Sequence, residues 1–263
     1  MCIRDRFWGS DFIGFKNFEF LFTTSDAFII TRNTVLYNLV FIILNMFLAV
    51  CFALLLSELR SKRLAKTFQT IYMMPHFLSW AVVAILVSAF LDRSYGFVNQ
   101  LMMSMGSEGL INWYQRKEIW PWLLVFVNAW KHVGYQTVLY LAVISGISVD
   151  YYEAATLDGA TRFQKARYIT IPHLRSIISI SLIMAMGSIF RGDFGLFYNV
   201  TNNSGSLYRV TDVIDTYIYR GLTSMGNLGM STAAGLYQSV VGFILILIAN
   251  KAVTKIDPDS AMF

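Results

Sequence analysis

Glu153-Ala154-Ala155, then Asp158-Gly159-Ala160, then Ile171-Pro172 form a small polar stretch between two long apolar segments. One acid, close-packing alanines and a Gly-centred turn suit recognition of a partner surface rather than bond breaking. Asp158-Gly159 is a turn signal, because glycine accepts the positive φ that a sharp reversal needs. Glu153-Ala154-Ala155 suits a short helix before that turn. Ala160–Ile169 suits a second one, with Phe163, Ala166 and Ile169 three apart. Pro172 is placed to begin the next helix, since a first helical turn tolerates proline. The expected product is a compact helix–turn–helix knob. Its alanines let another backbone come close, and Glu153 can pair with a basic group on that partner or cap its own helix. An ordinary hairpin lying on a membrane surface is the alternative.

A second set of polar residues interrupts apolar sequence. Lys131 and His132 fall near the middle of a long apolar segment. An ionised Lys at a bilayer centre costs roughly 2.5–3.5 kcal/mol, so such a residue faces a cavity or a polar partner. We expect Trp130 and Lys131 to line a pathway through the bundle. The alternative is a shifted boundary, with Lys131 near an interface or paired with Asp193. Asn45 and Gln136, with Asn38 and Asn128, are further pathway candidates; otherwise they join helices by hydrogen bonds of about 1 kcal/mol. Arg191-Gly192-Asp193 reads as a local ion pair. His76 and His173 read as satisfied residues at loop edges, and the three His never reach metal-site spacing, so no metal and no cofactor is expected. G-x-x-x-x-G-K-[ST], H-E-x-x-H and G-x-S-x-G are all missing, which argues against a P-loop ATP site or a hydrolase on this chain.

The elements that must position these residues follow from composition. Apolar residues make up 56% of the chain and charged ones 14%, against about 25% charged in soluble domains. The bias sits in five segments, Val35–Leu56, Ile71–Leu91, Ile119–Ile144, Leu174–Phe190 and Ala233–Asn250. Each approaches the ~20 residues that an α-helix needs to cross ~30 Å of hydrocarbon. The fold class is therefore all-α, a polytopic membrane helical bundle. The net charge of +5 comes without a basic patch interleaved with aromatics, so nucleic acid is excluded as a partner and membrane lipid accepted. Cys2 and Cys51 are poorly placed to pair.

Arg60, Lys62, Arg63 and Lys66 crowd one short loop, Arg162, Lys165, Arg167 and Arg175 another, and Lys251 and Lys255 the tail. The positive-inside rule makes these cytoplasmic, with the knob and the C-terminus inside and the N-terminus outside. Five spans with an external N-terminus and no signal peptide imply a missing upstream span, with residues 1–6 an artefact of the gene start. A genuine five-span chain inserted N-out is the rival; Phe12–Phe22 then forms an external amphipathic piece, with Phe12, Phe15, Phe18 and Leu21 or Phe22 at helical spacing. The boundaries are residues 1–33 as an external segment, 34–250 as the membrane domain with a cytoplasmic loop at 148–173, and 251–263 as a tail. Val213, Ile214, Tyr217 and Ile218 suggest a short amphipathic helix in the external segment Asn199–Met230.

The Glu153–Pro172 pattern resembles the EAA loop of permease subunits in binding-protein-dependent ABC importers. Met74-Pro75-His76-Phe77-Leu78-Ser79-Trp80, Trp130-Lys131-His132-Val133-Gly134 and Asp215-Thr216-Tyr217-Ile218-Tyr219-Arg220 are similar to the carbohydrate branch that takes up oligosaccharides, nearest the LplB-like permeases. The likeness runs from Phe12 to Asn250, in a family that normally has six spans. It implies a non-catalytic subunit in the bacterial cytoplasmic membrane that moves a sugar inward by ATP-driven alternating access. It also implies an ATPase dimer, a second related permease and an extracytoplasmic solute-binding protein as partners. Glu153, Ala154, Ala155, Asp158, Gly159, Ala160, Phe163 and Pro172 would then couple to the ATPase, while Trp130 stacks on a sugar face and Lys131 donates hydrogen bonds. An ion-coupled secondary transporter is the alternative; it would need carboxylates inside the spans and broken helices in paired halves.

Overall fold

The computed structural model describes residues 13–59, 61–106, 109–224, 226 and 228–256. The expectations for residues 1–6, Phe12, Arg60 and 257–263, and for the side chains of Leu21 and Phe22, lie outside that description.

Helix α1 (Ser25–Ser57) starts where Thr24 Oγ1 accepts the Ala27 N–H at 3.3 Å, with Asp26 set against the positive end of the helix dipole. Its buried residues, among them Ile30, Tyr37, Phe41, Asn45, Ala49 and Ala53, recur every three or four positions and form one face. Phe28, Ile43 and Phe47 on the other faces are exposed, as lipid contact requires.

The segment Ile71–Leu91 is not one straight span, as the hydropathy suggested. Helix α2 (Lys62–Met73) runs into a 3₁₀ turn at Met74–Phe77, and α3 (Trp80–Leu91) leaves at 98°. Pro75 takes a backbone donor out of the ladder. Ser79 Oγ then accepts the Val82 N–H at 3.3 Å and starts the new helix. Beyond α3 lies the short α4 (Phe97–Ser104), held by Asn99, whose amide donates to the carbonyls of Arg93 (3.0 Å) and Ile111 (2.8 Å).

Helix α5 (Trp120–Ser145) forms the most extensive interhelical contact of the fold, along α1. Ala49, Ala53 and Ala129 are buried there, and such small side chains let two backbones approach. α5 also crosses the end of α2, where a Cβ on Gly134 would sit 1.8 Å from the Tyr72 carbonyl oxygen. The chain then bends by 71° into α6 (Val149–Leu157).

Pro172 lies in the first turn of the regular α-helix Ile171–Gly187, as expected, but that helix continues backwards without a break, so helix α7 spans Arg162–Gly187. The turn before Pro172, Ala166–Thr170, is a π-helix. A wider turn shifts the hydrogen-bond register, so the missing Pro172 N–H is absorbed without a break.

After a π-turn at Gly195–Val200 come α8 (Ile214–Thr223) and α9 (Leu228–Ile256). Ile214 of α8 packs with Ile30 and Ala234, and its N–H donates to Thr34 Oγ1 at 3.0 Å. The amphipathic helix read at Val213–Ile218 thus packs on the bundle. Phe20, in the short helix Glu19–Thr23, stacks on Tyr217 of α8 at 5.9 Å, so this N-terminal piece caps the bundle. Among the described residues three helices are long and apolar enough to span a membrane, and up to five if each of two bent pairs counts as one span.

Candidate functional site

The knob is built by local hydrogen bonds. Gly159 has φ +76°, and the N–H groups of Gly159 and Ala160 donate to the carbonyls of Thr156 (3.0 Å) and Ala155 (2.9 Å). That is a Schellman end for α6, with glycine in the left-handed position. Thr161 then opens α7 through a capping box: Gln164 N–H donates to Thr161 Oγ1 at 3.3 Å, and Thr161 N–H to Gln164 Oε1 at 2.7 Å. Lys165 Nζ donates to Thr156 Oγ1 at 2.6 Å, and Tyr152 and Thr170 pair their hydroxyls at 2.9 Å, joining the two arms. α6 is capped by Ser148 rather than by Glu153. Glu153, Ala154, Asp158 and Gly159 are exposed, Ala155 and Ala160 partly so. Leu157 is 90% exposed and Phe163 74%. Pro172 is exposed on α7, away from the tip.

The second feature is a cavity of about 250 Å³ between α1, α5 and α7. Asn128, His132, Gln136 and Tyr140 of α5 line it, four residues apart and therefore on one helical face. Asn38 and Asn45 line it from α1, Ser181 and Ala185 from α7, and Arg191–Asp193 close one end. Asn45 Nδ2 donates to Asn128 Oδ1 at 2.9 Å. Asn45 Oδ1 and Gln136 Oε1 are buried and have no hydrogen-bond partner among the described residues. Asp193 faces His132 at 3.6 Å, where an Arg191 pair was expected. Just behind Arg191, the half-buried Asp215 carboxylate accepts from the Gly192 N–H at 2.6 Å and from Gln238 Nε2 at 3.0 Å. Burial pushes the Asp215 carboxyl above its usual range, and those two donors pull it back.

Trp130 and Lys131 do not line this cavity. Trp130 lies on the far side of α5, in an apolar recess with Val83, Leu86 and Phe90. Lys131 is 6% exposed, and its ammonium donates to the carbonyls of Pro75 (3.4 Å), His76 (3.0 Å) and Leu78. It satisfies the backbone freed where α2 breaks from α3. At 3.6 residues per turn, one position along α5 rotates a side chain by about 100°, which separates Lys131 from His132. His132 and Asp193 were named from the sequence without being assigned to the pathway, and Ser181 was not named. The four-residue spacing of Asn128, His132 and Gln136 was the signal available for the first of them. His76 is less settled than expected: it stacks on Tyr135 at 4.7 Å, but its buried Nδ1 has no hydrogen-bond partner among the described residues. His173 Nδ1 meets the Ile169 carbonyl at 2.6 Å. Among the described residues no cluster of His, Cys, Asp or Glu could hold a metal ion.

The cavity wall carries amides, an imidazole and hydroxyls, groups that can both donate to and accept from a polar solute. The knob offers apolar tips on a braced scaffold. Residues 45–257 match the family described as binding-protein-dependent transport system inner membrane component. The chain belongs to this family. The permease is 36% identical to Protein LplB of Bacillus subtilis (strain 168) over 254 residues, 96% of this chain and 79% of that one. It is 32% identical to the polygalacturonan/rhamnogalacturonan transport system permease protein YteP of the same organism, over 94% of this chain and 76% of that one. A crystal structure of a bacterial ABC transporter involved in import of the acidic polysaccharide alginate matches the permease with a TM-score of 0.88. Identity is 31%, over 95% of this chain and 86% of that one. A second alginate transporter structure, in complex with an alginate pentasaccharide-bound periplasmic protein, matches with a TM-score of 0.86 at 32% identity. The permease is thus an ABC-importer membrane subunit of the inner membrane, and the ion-coupled alternative has no counterpart among these relatives.

Proposed function

We propose that the permease carries a sugar or oligosaccharide inward, its hydroxyls passing the polar side chains of the α1–α5–α7 cavity. The relatives described as handling polysaccharides or their pieces support this class. A volume of about 250 Å³ is below the ~300 Å³ where small-molecule sites usually begin, so a second permease completes the passage. A solute-binding protein delivers substrate from outside. Glu153, Ala154, Ala155, Asp158, Gly159, Ala160 and Phe163 form the surface that docks on an ATPase dimer, which hydrolyses ATP on separate chains. The C-terminus and the knob are cytoplasmic in this reading.

One observation carries the mechanism: both arms of the knob continue into cavity walls. α5 bears Asn128, His132 and Gln136 and bends into α6; α7 runs unbroken from Arg162 at the knob past Ser181 and Ala185 at the cavity. Ser181 is about 24 Å along the helix axis from Lys165 at 1.5 Å per residue. A rigid helix passes a displacement over that distance, and the braced turn at Gly159 prevents the tip from absorbing it. Cysteine cross-linking from Leu157→Cys in membranes holding the whole importer tests the docking. Capture of the ATPase chain, lost on closing the ATPase dimer with nucleotide or changed in yield by it, is the expected outcome. Efficient uptake by Leu157→Asp and Phe163→Asp variants, with no ATPase ever captured, would refute it.

A further inference from the structure

A second recess opens on the lipid-facing side of the α1–α5 pair, with a volume of about 380 Å³. Leu36 and Val40 of α1 and Val125 of α5 form its wall, and Trp122 stands at its mouth, 77% exposed. Arg32 sits at the same end, exposed on the second turn of α1. Trp122 is likewise in the first turn of α5, so the cation and the indole share one membrane boundary, where Trp is favoured. Among the described residues no carboxylate forms an ion pair with Arg32. Its guanidinium instead donates to Asn33 Oδ1 at 3.0 Å. Asn33 is buried and its Nδ2 donates to the Asp212 carbonyl at 3.0 Å, so it anchors the guanidinium at the mouth of the recess.

We propose that this recess is a site for one anionic phospholipid, such as phosphatidylglycerol, with its phosphate on Arg32 and an acyl chain along Leu36, Val40 and Val125. The assignment does not depend on the transported substrate. An apolar channel alone would take any acyl chain. The cation at its mouth holds a phosphate through two donors at once, and it favours an anionic headgroup because the ammonium of a zwitterionic one opposes the guanidinium. α1 rises about 12 Å between Arg32 and Val40, enough for the upper half of an acyl chain. A free phosphate would leave that wall unfilled, and a packed protein helix would bury the guanidinium without an acid.

The test is native mass spectrometry of the assembled importer, released from nanodiscs of equal parts phosphatidylglycerol and phosphatidylethanolamine. The wild type retains phosphatidylglycerol in preference. One Arg near an anionic headgroup corresponds to about a fivefold preference, so Arg32→Gln lowers the retained ratio by about that factor. Arg32→Lys keeps most of the preference. Val125→Trp fills the channel and reduces both lipids together. Equal retention of the two lipids by the wild type, an unchanged ratio in Arg32→Gln, or undiminished lipid on Val125→Trp would each overturn the site. So would cross-links from Trp122→Cys that capture the second permease in the recess.

Discussion

Replacing Lys131 by Met removes the donor that closes the break between α2 and α3. The carbonyls of Pro75, His76 and Leu78 take the ammonium, and they belong to a helix end, where the last carbonyls have no partner along the chain. A hydrogen bond from a charged donor contributes about 1.5–3 kcal/mol, and a buried group left unpaired costs about 1–3 kcal/mol. Removing a buried ammonium recovers several kcal/mol of desolvation, which offsets part of the loss. Met fills a similar volume, so packing changes little. The net loss is then about 2–3 kcal/mol, which lowers Tm by roughly 4–12 °C for a chain of this size. The bend should loosen as well. Thermal unfolding in detergent gives the first quantity. Distances between spin labels at Phe68 on α2 and Ile85 on α3, by pulsed electron resonance, give the second; both side chains are exposed. A lowered Tm with a broadened distance distribution is expected. Unchanged Tm and an unchanged distribution would refute the reasoning. If uptake alone fell, Lys131 would belong to the pathway after all.

Gly159→Ala should reduce coupling by strain alone, since a Cβ there meets nothing within 4 Å and only φ +76° opposes it; the cost is about 1–2 kcal/mol. Gly159→Asn, which tolerates the left-handed region, should restore uptake, and equal defects in both variants would refute the strain account. Gly134→Ala should lower the Tm of the purified protein, because the new methyl meets backbone rather than a movable side chain; overpacking of this kind costs about 1–3 kcal/mol. Gln136→Leu removes a polar side chain of the cavity whose Oε1 has no partner among the described residues, so thermal stability should hold while the KM for uptake rises. A fall in Tm with unchanged KM would make the residue structural.

Much of the knob was legible because its bonds are short in sequence. The Gly159 turn and the helices on either side of it follow from residues within a few positions of one another; the capping box from Thr161 to Gln164 is equally local, though only the structure brought it out. Pro172 was legible for the same reason, since it sits in the first turn of the α-helix Ile171–Gly187. The π-turn that joins this helix to Arg162–Lys165 without a break was not, because local propensity allows both a fresh start and a continuation. Lys131 was legible as a buried cation that needed a partner. Which partner was not, because the carbonyls it serves come from a different helix pair.

The sequence by itself determined the class of the molecule, the placing of its long apolar segments and the turn that ends α6. Hydropathy measures length and polarity, and Gly and Thr act on their own backbone, so these features need no distant neighbour. Tertiary structure alone decided the 98° turn in the second span, the continuity of α7, and which face of α5 meets the cavity. Direction and rotation of a helix are set by what packs against it. In this chain those contacts join α1, α5 and α7, whose residues lie far apart in sequence and share a cavity only once the bundle has closed.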